Sequence, residues 1–178
     1  MKREVNPFDY ANDICKALPR GILLTTKRGD EVNTMTIGWG TMGIDWSRPI
    51  FIAYVRESRY TKQLLEANGE FTVNVPMGDI DKKILAVCGT KSGRDMNKIA
   101  ELGLHPEEPI SISVPGIREL PLTLECKVLY RQQQDLSAIP EDILARYYPV
   151  EEETLHPGSD RDYHICYYAQ ILKAYIIE

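Results

Sequence analysis

The 178-residue sequence predicts a mainly β fold of the α+β kind: an antiparallel sheet curling into a barrel, with short helices over its ends. Three observations carry this. Short runs rich in β-branched, aromatic and other apolar residues recur at 21–27 (GILLTTK), 32–40 (VNTMTIGWG), 50–55 (IFIAYV), 70–75 (EFTVNV), 110–114, 122–130 and 164–177. Arg28-Gly29-Asp30-Glu31 supplies hairpin turn chemistry between the first two. The helical segments between the strands lack the regular spacing of a doubly wound parallel sheet. Seven strands are therefore expected. No repeat, linker or low-complexity tract divides residues 1–178, so one domain is expected.

In chain order, Asn6-Pro7 reads as an N-cap followed by proline at the first helical position. Tyr10, Ala11, Ile14, Ala17 and Leu18 continue at helical spacing, so a helix is expected over 7–18. Ser58 is placed to cap a helix over 59–67 that stops at Asn68-Gly69. Asp79 is placed to cap one over 80–88, with Gly89 just past its end. Ser92 or Asp95 opens a third to about Leu102, before Gly103, and Pro140 opens a fourth to about Tyr148. The acidic run 151–153 reads as a solvated loop.

Composition narrows function. Twenty-one basic against 26 acidic residues give a formal charge of −5, unsuited to a general nucleic-acid binder. The amino terminus has no apolar signal region, and no apolar run approaches membrane-spanning length. Cys15, Cys88, Cys126 and Cys166 stand singly in apolar stretches, which predicts buried, reduced thiols in a cytoplasmic protein. His105, His156 and His164 are scattered, so no metal site is expected. The fingerprints of phosphate-loop proteins, serine hydrolases and zinc proteases are missing. Any chemistry should come from a bound organic cofactor rather than a protein acid, base or nucleophile.

Two regions suit such a ligand. Along 33–40, alternation sends Asn33, Met35, Ile37 and Trp39 one way and Thr34, Thr36, Gly38 and Gly40 the other. Small residues let a flat ring approach main-chain N–H and C=O groups closely; a small-residue face packed under a helix is the alternative. Arg56-Glu57-Ser58-Arg59-Tyr60-Thr61 sits at a strand-to-helix junction and combines hydroxyls with guanidinium groups. That suits a terminal phosphate, although Ser58 could be a plain N-cap and the arginines solvated. Lys91-Ser92-Gly93-Arg94-Asp95 repeats the recipe. Together the two clusters favour a dianionic ligand.

The ordered blocks GILLTTK, NTMTIGWGTMGIDWSRPIFIAYVRESRYT, GEFTVNVP and KSGRD resemble the flavin reductase-like, FMN-binding split-barrel family. The likeness runs from about residue 15 to 130. It implies a six-stranded antiparallel Greek-key barrel, a homodimer, and FMN near the subunit interface. Phosphate contacts would fall on Ser58, Arg59 and Thr61, with Arg56, Lys91, Ser92 and Arg94 nearby. Ring contacts would fall on Asn33, Met35, Thr36, Ile37, Gly38 and Trp39. The implied reaction is hydride transfer from NADH or NADPH to flavin N5. Many family reductases carry Gly-Asp-His and then Gly-Glu near the last strand. Here the stretch reads Asp162-Tyr163-His164 and then Ala169-Gln170, leaving His164 as the nicotinamide-side candidate. That departure keeps open an FMN electron carrier working between protein partners, and the fold alone would also serve a flavin-free binding module.

Overall fold

The computed structural model describes residues 1–149 and 162–178; the acidic run 151–153 and His156 lie outside the described residues. Among the described residues there are ten strands: β1 (Lys2–Glu4), β2 (Ile22–Arg28), β3 (Glu31–Ile37), β4 (Gly40–Asp45), β5 (Arg48–Arg56), β6 (Glu70–Val75), β7 (Pro106–Glu107), β8 (Gly116–Ile117), β9 (Leu122–Gln133) and β10 (His164–Ile177). The helices are α1 (Ala11–Ala17), α2 (Tyr60–Asn68), α3 (Lys82–Thr90), α4 (Lys98–Glu101) and α5 (Glu141–Tyr147). No helix among the described residues is long and apolar enough to cross a membrane.

The main sheet runs β3-β2-β6-β9-β10-β5-β4, with every pair antiparallel and β1 added along β10. It curls but does not close, because the edge strands β3 and β4 share no ladder. Only Gly38-Trp39 joins those two edges, so the split in the barrel is bridged by main chain rather than by strand pairing. The expected 32–40 strand is thus two strands on opposite edges. Inside the curl lies an apolar core that includes Leu24, Phe51, Val73, Leu124, Tyr167 and Ala169. Each large side chain there contributes roughly 2–3 kcal/mol through burial. A second cluster of Leu23, Ile84, Cys88, Leu104, Ile117 and Leu120 seats α3 and the 104–120 segment on the other face of the sheet.

Several local expectations hold. Asn6 accepts a hydrogen bond from the Phe8 amide, and Pro140 precedes α5. Gly29 (φ 58°) turns β2 into β3 with Arg28 opposite Glu31, and Gly69 (φ 74°) ends α2 in the left-handed conformation. The first helical segment is α1 flanked by 3₁₀ turns at Pro7–Tyr10 and Leu18–Arg20.

Others are corrected. Residues 110–114 form bends rather than a strand, because the Ile110 and Ser111 amides donate to the buried Glu125 carboxylate at 2.6 and 2.7 Å. A charged acceptor there outcompetes a ladder. Asp81, not Asp79, caps α3 by accepting from the Lys83 amide, which draws Gly89 inside the helix. Asn97, not Ser92 or Asp95, caps α4, while Ser92 accepts from the Arg94 amide in a turn of its own. Ser58 does not cap α2; Arg59 occupies the cap position without a side-chain bond. Cys15 is exposed on α1, and Cys166 is only partly covered.

Candidate functional site

Where β3, the start of α2 and the α3–α4 connection meet, they enclose a hollow of about 130 Å³. Arg59, Lys91, Arg94 and Lys98 line it, together with Asn33, Ser58, Thr61 and Ser92, and no carboxylate of the described residues does. Lys98 is the unexpected member. It is 3% exposed, its Nζ donates to the Lys91 carbonyl at 3.3 Å, and no carboxylate of the described residues pairs with it. Burial pulls its pKa below the ordinary lysine value, and the nearby Arg59 guanidinium pulls the same way. An ammonium kept dry beside other cations is expensive until an anion arrives.

The hydroxyls are arranged as donors. Asn33 Nδ2 donates to Thr61 Oγ1 at 2.8 Å, which leaves the Thr61 proton for another acceptor. Arg94 reaches the Ser58 carbonyl at 3.2 Å and lies over the Tyr60 ring, 5.1 Å from its centroid. Gly93 permits this closure, since a Cβ there would come 2.2 Å from Asn33 Oδ1. Ser58 is engaged already: its amide and hydroxyl donate to the two Asp162 oxygens at 3.0 and 2.7 Å.

A second hollow, about 160 Å³, adjoins the first through Met35 and Arg59. Thr36, Ile37, Gly38, Trp39, Tyr54, Arg56 and His164 complete its lining. It lies at the split in the sheet, where main chain is bare of ladder partners. Arg56 serves as a brace here, donating to the Asp162 carbonyl at 2.7 Å and the Tyr147 carbonyl at 2.9 Å. His164 is 7% exposed, and burial together with Arg56 lowers its pKa to about 4, so the ring is neutral near pH 7. Tyr148 donates to Gln134 Oε1 at 2.6 Å and sits 2.7 Å from His164 Nδ1. The Nδ1 proton therefore supplies the His164–Tyr148 bond, and Nε2 is left as an acceptor. Trp39 leans on the His164 ring at 4.6 Å and meets Tyr147 edge-on at 5.3 Å.

All 13 residues expected to hold the ligand, and His164 with them, line one of these two adjoining hollows. Their tasks differ. Arg56 and Ser58 are spent on protein partners, whereas Arg59, Lys91, Arg94 and Thr61 keep donors to offer. Lys98, Tyr54 and Asp162 were not singled out from the sequence. Lys98 falls within the helix expected to run to about Leu102, where nothing local marks it as buried, and the Ser58–Asp162 contact spans 104 residues.

The sequence matches the family model described as "Flavin reductase like domain" over residues 16–144. An uncharacterised protein of Archaeoglobus fulgidus is 34% identical over 100 residues, which is 56% of this chain and 55% of that protein. The chain thus matches about half the length of this relative. Among solved structures, flavoredoxin of Desulfovibrio vulgaris superposes with a TM-score of 0.63 at 19% identity, covering 89% of this chain and 69% of its own. The NADH:FAD oxidoreductase of Streptomyces globisporus superposes with a TM-score of 0.61 at 17% identity, covering 98% and 87%. At such identities these likenesses establish the fold, a split barrel with an open sheet. With the family model spanning most of the sequence, the chain belongs to the flavin reductase-like domain family.

Proposed function

We propose that this protein binds FMN and catalyses its reduction by NADH or NADPH. One observation carries the reading: the cationic, carboxylate-free hollow opens directly onto the hollow at the sheet split. A dianionic phosphate fits the first, where Arg59, Lys91, Arg94 and Lys98 would hold it with the Thr61 hydroxyl. A flat ring fits the second, where the 35–39 main chain would lie along its edge and exclude water. Bound FMN would supply the hydride-accepting N5. The residues present bind and orient; neutral His164 offers Nε2 as an acceptor and has no proton to release at pH 7.

The reading includes a homodimer. Each hollow is smaller than the roughly 300 Å³ typical of a small-molecule site, so the ring needs a wall from elsewhere. The outer face of β5, β9 and β10 continues from Tyr54 and carries Tyr168, Tyr130 and, on the β4–β5 turn, Trp46. Tyr130 and Trp46 are 46% and 53% exposed. Trp46 and Ser47 hold left-handed backbone (φ 49° and 55°), a strained conformation for non-glycine residues that keeps the indole on this face. The four free thiols support a cytoplasmic setting. FMN passing electrons between proteins is the second reading, favoured by Trp39 lying against His164 on the side a nicotinamide would approach.

The absorbance spectrum between 300 and 500 nm with added FMN tests binding, and anaerobic bleaching by NADH or NADPH tests the reaction. Flavin uptake with bleaching supports the proposal. Uptake without bleaching by either nucleotide selects the electron carrier, and no uptake refutes both.

A further inference from the structure

A third and larger cavity lies outside both hollows. It is a cleft of about 1060 Å³ between α1 with its following 3₁₀ turn, the 76–80 loop and the start of α3. Ala17, Pro76, Ile80, Leu85 and Ala86 form the apolar part of its lining, with Met77 45% exposed at the edge. Lys16, Arg20 and Lys82 stand around it against Asp13 and Asp79, and among the described residues none of these five side chains makes an ion pair or a side-chain hydrogen bond. In a chain of net charge −5, this rim carries three cations against two carboxylates.

The floor is built tightly. Gly21 (φ 104°) brings the turn so close to β3 that a Cβ would lie 2.8 Å from Thr36 Cγ2. Thr36 is fixed from the other side by donating to the Leu85 carbonyl at 2.7 Å. Thr36 also lines the hollow at the sheet split, so one side chain separates the two spaces.

We propose that this cleft is a second binding site, for a small organic anion with a flat or apolar body, adjacent to the flavin hollow across Thr36. Apolar walls would take the body, and Arg20 and Lys82 would take the charge. Two sources share this chemistry: a nicotinamide dinucleotide and a simple aromatic carboxylate.

The test titrates 1-anilinonaphthalene-8-sulfonate into protein with and without saturating FMN, reading probe fluorescence. One saturable site that persists with FMN present is expected. Arg20→Glu/Lys82→Glu should weaken it at least tenfold, and the exposed Ala86→Trp should crowd the apolar part of the cleft and weaken it too. Arg94→Ala should leave it unchanged. Displacement by NADPH identifies a dinucleotide site, and displacement by 4-hydroxybenzoate alone identifies an aromatic carboxylate site. Displacement by FMN, indifference to both cleft variants, or no saturable binding overturns the proposal. The readout does not depend on flavin, so failure of FMN to bind would leave it standing.

Discussion

The two adjoining hollows differ in how far one chain completes them. The cationic hollow is finished: it has four cations, an oriented threonine hydroxyl and a loop closed over Gly93. The hollow at the sheet split has a wall of main chain, a braced arginine and a neutral histidine, and is otherwise open. Affinity should therefore reside at the phosphate end, while water exclusion and reactivity await a second surface.

The largest test of this contrast is Lys98→Met. Loss of a buried charge partner should weaken FMN about 100-fold, or about 2.7 kcal/mol, in a fluorescence titration. Thermal stability without flavin should stay level or rise, because an apolar chain of similar length replaces an unpaired buried ammonium. Equal affinities for the variant and the parent would place the phosphate elsewhere.

Next comes acid sensitivity from the ring side. His164 is depressed from 6.5 to about 4 in the fold, so unfolding takes up a proton below pH 6.5. Its contribution is complete above pH 6.5 and is lost as pH falls toward 4, with about 2 kcal/mol gone between pH 7.5 and 5. Urea unfolding of His164→Gln should show that much less acid destabilisation than the parent.

A smaller effect separates the two ends by ligand. Arg94→Ala should weaken FMN about tenfold and leave riboflavin unchanged, since only FMN carries the phosphate. Equal losses for both ligands would move Arg94 to the ring. The smallest effect concerns the aromatic face: Ser47→Gly should relieve left-handed strain worth about 1 kcal/mol and raise Tm by about 2–4 °C.

Sequence legibility followed the range of the determining interaction. Gly29, Gly69 and Asn6 act within a few residues, and their turns and cap read directly. The 110–114 run misled because its amides answer to Glu125, which no local pattern reveals. The break at Gly38-Trp39 was hidden for a related reason: an unbroken alternating run cannot show that its two ends lie on opposite sheet edges. Most of the lining of the candidate site was legible because Arg59, Thr61, Lys91 and Arg94 cluster in two short blocks. Lys98 and Asp162 act only through tertiary contacts and carried no signal of their own.

Strand β10 alone joins β9 to β5, and so unites the two halves of the sheet. Its pairing with β5 sets His164 opposite Arg56, more than a hundred positions apart along the polypeptide. Closing so large a loop is slow, so the halves should form as separate partial structures that stay uncoupled until this strand docks. By the reverse of that step, amide protons between β10 and β5 should exchange with deuterated solvent when this strand undocks, ahead of those in the β2–β3 hairpin.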